Sequence, residues 1–250
     1  MDPAAKEKFI SLWNQYFDGA ELPIVFYYTN EEATGAEQVE PATERRCLIC
    51  DLRRVREGSP LQFGADSVGC EGGKRYLGFS TSLRPNFEYF LSCGIPGKLE
   101  GERYKKSPEL VREMLKVTPD FKAPARFIVF KRWDMLGEQD GPAVVIFFAP
   151  PDVLSGLFTL ANFEEAEPNG VFCPFCAGCG SIMQYPYLER NTERQRAVLG
   201  MFDVSARPCV PPGTLTFAVP MGKFARMVEY MEESFLITPS WSRVKNRIGE

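Results

Sequence analysis

The chain has 250 residues, 44% hydrophobic and 25% charged, with eight cysteines and no histidine. Lacking imidazole, it has no Ser–His or Cys–His nucleophile pair and no histidine metal ligand, so a transition-metal site must rest on thiolates and a general base on a carboxylate, Lys, Tyr or thiolate. The net charge of -4 argues against general nucleic-acid binding, which needs a basic surface.

This length suits one large domain or two small ones. No apolar run approaches the roughly 18–20 residues that span a bilayer, and the first residues show no basic segment leading into an apolar stretch. The expectation is a cytoplasmic protein without membrane or nucleic-acid partners. In that reducing compartment clustered cysteines serve more often as ligands or redox groups than as disulfides.

Phe9, Leu12, Trp13, Tyr16 and Phe17 form one apolar stripe of an amphipathic helix that Gly19 ends. Leu22 to Tyr28 reads as a buried strand, Thr29 to Glu44 as a loop, and Arg45 to Arg56 as a helix burying Leu48, Leu52 and Val55. Tyr76 to Phe79 is expected as a short strand and Asn86 to Leu91 as weakly helical. Ser107-Pro108-Glu109 has the residues of a helix start: Ser as N-cap, Pro next, an acid in the first turn. Arg126 to Trp133 and Ala143 to Ala149 are the clearest strands. Pro150 to Asn162 reads as a helix, and Thr214 to Val219 as a strand feeding a helix with Phe224, Met227, Val228, Met231 and Phe235 on one face.

This alternation lacks the regularity of a doubly wound sheet, so the fold class is α+β: mixed sheet with flanking helices. Ile24 to Tyr28 echoes Val145 to Ala149, and Val68 to Gly72 echoes Ala177 to Ser181. The expectation is a single unit over 1–250, the echoes being either chance or the mark of two related halves, about 20–120 and 140–235.

Six cysteines lie near another cysteine or beside glycine. In Cys173-x-x-Cys176-x-x-Cys179, closely spaced thiolates let a short loop wrap one soft metal centre, as in the first three ligands of bacterial ferredoxins, and Cys209 is the remote fourth candidate. Zinc is the alternative, with Cys47 and Cys50 as a second pair. Inert packing also stands, because free cysteines behave as small hydrophobes. Cys47-x-x-Cys50 is expected one turn inside its helix, a poor place for a thiol–disulfide pair, which favours a helix N-terminus.

Arg45, Arg46, Arg53, Arg54 and Arg56 crowd that same helix. They make either an anion site near Cys50 or a solvated basic face. Cys70-Glu71-Gly72-Gly73-Lys74 reads as a glycine turn, either an ordinary turn between strands or one that brings backbone N–H groups to an anion, without the spacing of a nucleotide loop. The pairs Glu164-Glu165 and Glu232-Glu233 are expected on solvated helix surfaces or ends, and no residue marks a catalytic centre.

Several segments together resemble the uncharacterised bacterial and archaeal family catalogued as domain of unknown function 169. They are Cys50-Asp51-Leu52-Arg53-Arg54, Gly69-Cys70-Glu71-Gly72-Gly73 leading into Leu77-Gly78-Phe79, Val144 to Pro150, Cys173 to Tyr187, Asp203 to Arg207, and Phe217 to Pro220. The likeness runs from about Leu22 to about Trp241. It implies that Cys50 and Cys70 belong to a shared framework and that the triple-cysteine run is an elaboration. Ser205-Ala206-Arg207 departs from the Ser-Arg pair expected there. The resemblance implies no activity.

Three functions remain open. One is an iron–sulfur cluster or other thiolate-held metal on Cys173, Cys176, Cys179 and Cys209, serving electron transfer or cofactor handling with a redox partner protein. The second is a metal-free module that binds a small anionic ligand between the halves through Cys50, Cys70, Arg53 and Arg54. The third is a thiol–disulfide oxidoreductase using Cys47 and Cys50.

Overall fold

The computed structural model describes residues 1–248. Its framework is one eight-stranded mixed sheet. The four long strands are β1 (Ile24–Thr29), β4 (Phe127–Arg132), β5 (Val144–Ala149) and β8 (Leu215–Pro220). They are runs of β-branched and aromatic residues, which suit a pleated surface packed on both sides. Short strands flank them: β2 (Glu37–Gln38), β3 (Leu61–Phe63), β6 (Val171–Phe172) and β7 (Ala197–Gly200). The order is β2-β3-β4-β1-β5-β8-β7-β6, so the first four strands run 2-3-4-1 outward-in and the last four 6-7-8-5. The pairing senses match as well. β2–β3 and β6–β7 are parallel, β3–β4, β4–β1, β7–β8 and β8–β5 are antiparallel, and β1 meets β5 antiparallel at the centre through Val25 and Val145.

The first sequence echo falls on β1 and β5, which hold equivalent places in this order. The second does not, because Val68 to Gly72 follows β3 whereas Ala177 to Ser181 precedes β7.

Alternation along the strands sends side chains to two cores. One face buries Val25, Val145, Phe147, Phe217 and Val219 under α1 (Pro3–Tyr16), α6 (Pro151–Ala161), α8 (Met221–Glu229) and α9 (Pro239–Lys245). The expected stripe of α1 is buried in full, and Trp13 stacks on Phe17 at 4.4 Å between centroids. Gly156 of α6 lets the layers close: a Cβ there would lie 2.5 Å from the Trp241 ring and 2.8 Å from Phe17. The opposite face buries Ile24, Phe26, Ile128, Phe130, Val144, Ile146 and Ala218. Over it lie α2 (Leu48–Arg56) and a helix that begins with a π turn (Gly180–Gln184) and continues as α7 (Tyr185–Glu189). Three further helices, α3 (Glu71–Tyr76), α4 (Phe87–Phe90) and α5 (Pro108–Val117), fall between β3 and β4. Ser107 caps α5 as expected, accepting from the Leu110 N–H at 3.4 Å.

Three local expectations are corrected. Tyr76 to Phe79 is the end of α3 and the turn after it, with Gly78 in the left-handed region, because the glycine turn winds into a helix. The segment from Thr29 to Glu44 contains β2. Glu165 is not a solvated carboxylate: it accepts from Lys223, whose side chain is fully buried, at 2.6 Å and from Arg194 at 2.8 Å. A buried ammonium needs such a partner.

Candidate functional site: a cysteine cluster beside an apolar cavity

The chemistry-bearing side chains gather on the α2 and α7 face. Helix α2 starts three residues later than its composition suggests, because the Arg46 N–H donates to the Gly69 carbonyl at 3.2 Å. Gly69 makes that approach feasible, since a Cβ there would sit 2.8 Å from the Arg46 nitrogen. Cys47 is therefore the N-cap of α2 and Cys50 lies in its first turn, not mid-helix. Cys70 is the N-cap of α3, its sulfur accepting from the Gly73 N–H at 3.2 Å. Cys179 is the N-cap of the π turn.

Cys209, in the turn between β7 and β8, forms a disulfide with Cys50 across 159 residues of sequence. The sulfurs of Cys47, Cys50 and Cys209 lie within 4.8 Å of one another, a group that could hold a metal ion. Among the described residues Cys173, Cys176 and Cys179 form no such group. Cys173 is exposed, Cys176 half-buried and Cys179 buried, so the closely spaced run spreads from the surface into the core while Cys209 turns toward Cys50.

The remaining thiols feel one another. Burial pushes Cys179 well up, with the neighbouring Cys70, Cys47, Asp203 and Cys176 adding repulsion. Burial, then Cys173 and Asp203, raises Cys176 to about 12. Cys47 is also raised, by burial first; hydrogen bonds from the Ile49 and Cys50 N–H groups offset part of this, and Cys70 and Asp203 add to it. The N-cap position would favour a thiolate at Cys47, but desolvation outweighs it. Left alone, these sulfurs are neutral thiols at physiological pH. A soft cation would reverse the preference, since coordination deprotonates a thiol.

Next to the cluster lies a cavity of about 820 Å³, within the roughly 300–1,000 Å³ of small-molecule sites. Its floor carries Cys70 and Cys176. One wall is the 200–205 segment after β7, another the 82–118 region with α4 and α5. Met201 holds a positive φ of 68°, and Asp203 accepts from the Gly178 N–H at 2.9 Å, which ties the segment to the cysteine run. Gly200 faces Ser181, whose oxygen would be 2.1 Å from a Cβ.

Arg53 and Arg54 are elsewhere. They point outward from α2, paired with Glu57 at 2.8 Å and Glu37 at 2.5 Å, and neither lines the cavity. Arg46 and Arg56 are likewise paired, with Asp51 and Glu21. Sequence reasoning named Cys50, Cys70, Cys173, Cys176, Cys179 and Cys209, kept Cys47 only beside Cys50 in the zinc and exchange readings, and gave Asp203 and Tyr76 no role. The signal for Cys47 was present: an N-cap directly before the Leu48-Ile49-x-x-Leu52 stripe.

The family model for domain of unknown function 169, described as "Uncharacterised ArCR", matches residues 17–230. The chain belongs to that family. Comparisons with curated proteins and with solved structures give no match. Among the described residues no helix is long and apolar enough to cross a membrane.

Proposed function

We propose that this family member holds a thiolate-bound metal, as an iron–sulfur cluster or alternatively zinc, in electron transfer or cofactor handling. The observation that carries the reading is the convergence of the Cys47, Cys50 and Cys209 sulfurs within 4.8 Å from two distant parts of the chain. Cys70, which raises the Cys47 thiol, and Cys179, which Cys47 and Cys70 both raise, lie near enough to be the candidates for a fourth ligand. Such sites need no histidine. The Cys50–Cys209 disulfide makes loading redox-dependent: a dithiol reductant delivers two electrons and two protons, and the metal then displaces the protons. The test is anaerobic purification under reductant, with a visible spectrum and analysis for iron, sulfide and zinc. Iron with sulfide supports the cluster, and zinc near one per chain supports the alternative. Metal-free protein after anaerobic reconstitution would overturn both.

A second reading rests on the same disulfide. The Cys47 sulfur lies beside it, so the Cys47 thiolate can attack one sulfur while the other leaves as a thiolate and takes up a proton, a balanced thiol–disulfide exchange. Its N-cap placement removes the mid-helix objection, while the burial that raises the Cys47 thiol confines exchange to its deprotonated fraction. Mass spectrometry of trapped protein tests it: a Cys47-containing disulfide under mild oxidant supports exchange, and Cys50–Cys209 alone at every potential rules it out.

A further inference from the structure

The cavity has its own chemistry, independent of what the cysteines hold. Tyr76, Phe87, Phe90, Tyr104, Tyr185 and Phe202 bring aromatic rings to its lining. Phe175, Phe202 and Val204 remain 60%, 56% and 68% exposed there, large apolar surfaces left to water on the wall of a concave site. Three arginines share the lining, Arg45, Arg75 and Arg84, and among the described residues none has a carboxylate within salt-bridge distance. This contrasts with the outward arginines of α2, which are ion-paired. Arg84 stacks over Phe90 at 4.1 Å, and Arg75 bonds only the Thr81 carbonyl. Two of the five acids in the lining are already engaged, Asp203 by Gly178 and Ser205 and Glu71 by Lys74, while Glu44, Asp66 and Glu102 are exposed to solvent. Aromatic walls with guanidinium forks at hand suit a flat conjugated ring that carries phosphate or carboxylate groups.

We propose that this cavity binds an anionic polycyclic aromatic molecule, its rings against Phe87, Phe90 and Phe202 and its acidic groups on Arg75 and Arg84. A flavin phosphate and a tetrapyrrole carboxylate share that chemistry, and the test separates them. The full-length reduced protein is titrated with flavin mononucleotide, riboflavin and coproporphyrin, followed by fluorescence and absorbance. Saturable binding near one equivalent is expected for one of the two anionic probes, and which one identifies the ring. Arg75→Ala and Arg84→Ala should each weaken that probe by about tenfold or more, the scale of a lost charge-assisted hydrogen bond. Arg53→Ala should leave it unchanged. If flavin mononucleotide is the ligand, riboflavin, which lacks the phosphate, should bind about tenfold or more weaker. Failure of both anionic probes to saturate, or equal affinity in wild type, Arg75→Ala and Arg84→Ala, overturns the proposal. The titration is repeated on Cys47→Ser, where unchanged probe affinity is expected, so loss of metal and loss of ligand are read separately.

Discussion

Each face of the sheet buries its own cluster of apolar side chains, yet the two are built for different ends. The α1–α6–α8–α9 face carries Trp133, Phe9, Phe147, Trp13, Phe17 and Trp241 in one chain of aromatic contacts, and among the described residues no cysteine belongs to its core. The α2–α7 face includes Cys179 in its core, with the half-buried Cys47 and Cys209 packed against it, and opens into the cavity. Its helices are interrupted where function is proposed: α2 starts late, α7 begins with a π turn, and Met201 holds a left-handed backbone. Such departures from regular structure concentrate at functional sites. One face supplies stability, and the other uses part of it to hold thiols and a cavity.

This contrast can be broken or sharpened by substitution. The largest effect on stability is expected on the aromatic face, where Phe147→Ala should cost about 3–5 kcal/mol in chemical denaturation while the folded fraction keeps its metal and probe binding. A loss of binding in protein shown to be folded would mean that the faces are not separable. On the same scale, Glu165→Leu leaves the buried Lys223 without a carboxylate, and removing one partner of a buried pair costs about 3–5 kcal/mol. A cost near zero would show that water or Glu167 takes over.

A smaller effect comes from Asp140, which accepts from Lys131 at 2.8 Å and from the Tyr27 hydroxyl. Burial raises its carboxyl, but bonds from Lys131, Tyr27 and the Gly137 N–H together outweigh burial and leave it below the usual carboxylate range. A depressed folded value makes this contribution present above the unfolded carboxylate value, about 3.9, and lost as pH falls through the folded one. The stability gap between wild type and Asp140→Asn should therefore be flat near neutrality and narrow below about pH 4. A gap that widens on acidification contradicts this sign. The smallest effect belongs to Arg53→Ala, whose exposed pair with Glu57 should leave the denaturation midpoint indistinguishable from wild type.

What could be read in advance follows the length of each element. The four long strands announce themselves by continuous apolar runs, and the stripes of α1 and α8 by their spacing. β2, β3, β6 and β7 span two to four residues, too few for a pattern, and they exist because longer neighbours offer unpaired edges. Family likeness and glycine punctuation pointed to Cys50 and Cys70. The start of α2 was misjudged because Glu44-Arg45-Arg46 favours helix locally, whereas the Gly69 carbonyl, more than twenty residues away, claims the Arg46 N–H. Cys50 meeting Cys209 was equally illegible, since no local pattern encodes a contact across 159 residues. The Cys173-x-x-Cys176-x-x-Cys179 run suggested three neighbouring ligands, but the fold instead brings the Cys47-x-x-Cys50 pair to the distant Cys209.

The central claim is that Cys47, Cys50 and Cys209 form a metal-holding group. Its most direct test is metal content per chain after anaerobic reconstitution of reduced wild type, Cys47→Ser, Cys209→Ser, Cys173→Ser and the exposed-thiol control Cys93→Ser. The account predicts a full complement in wild type and Cys93→Ser and loss of most of it in Cys47→Ser and Cys209→Ser. Undiminished metal in both ligand variants, with loss on Cys173→Ser instead, would contradict it.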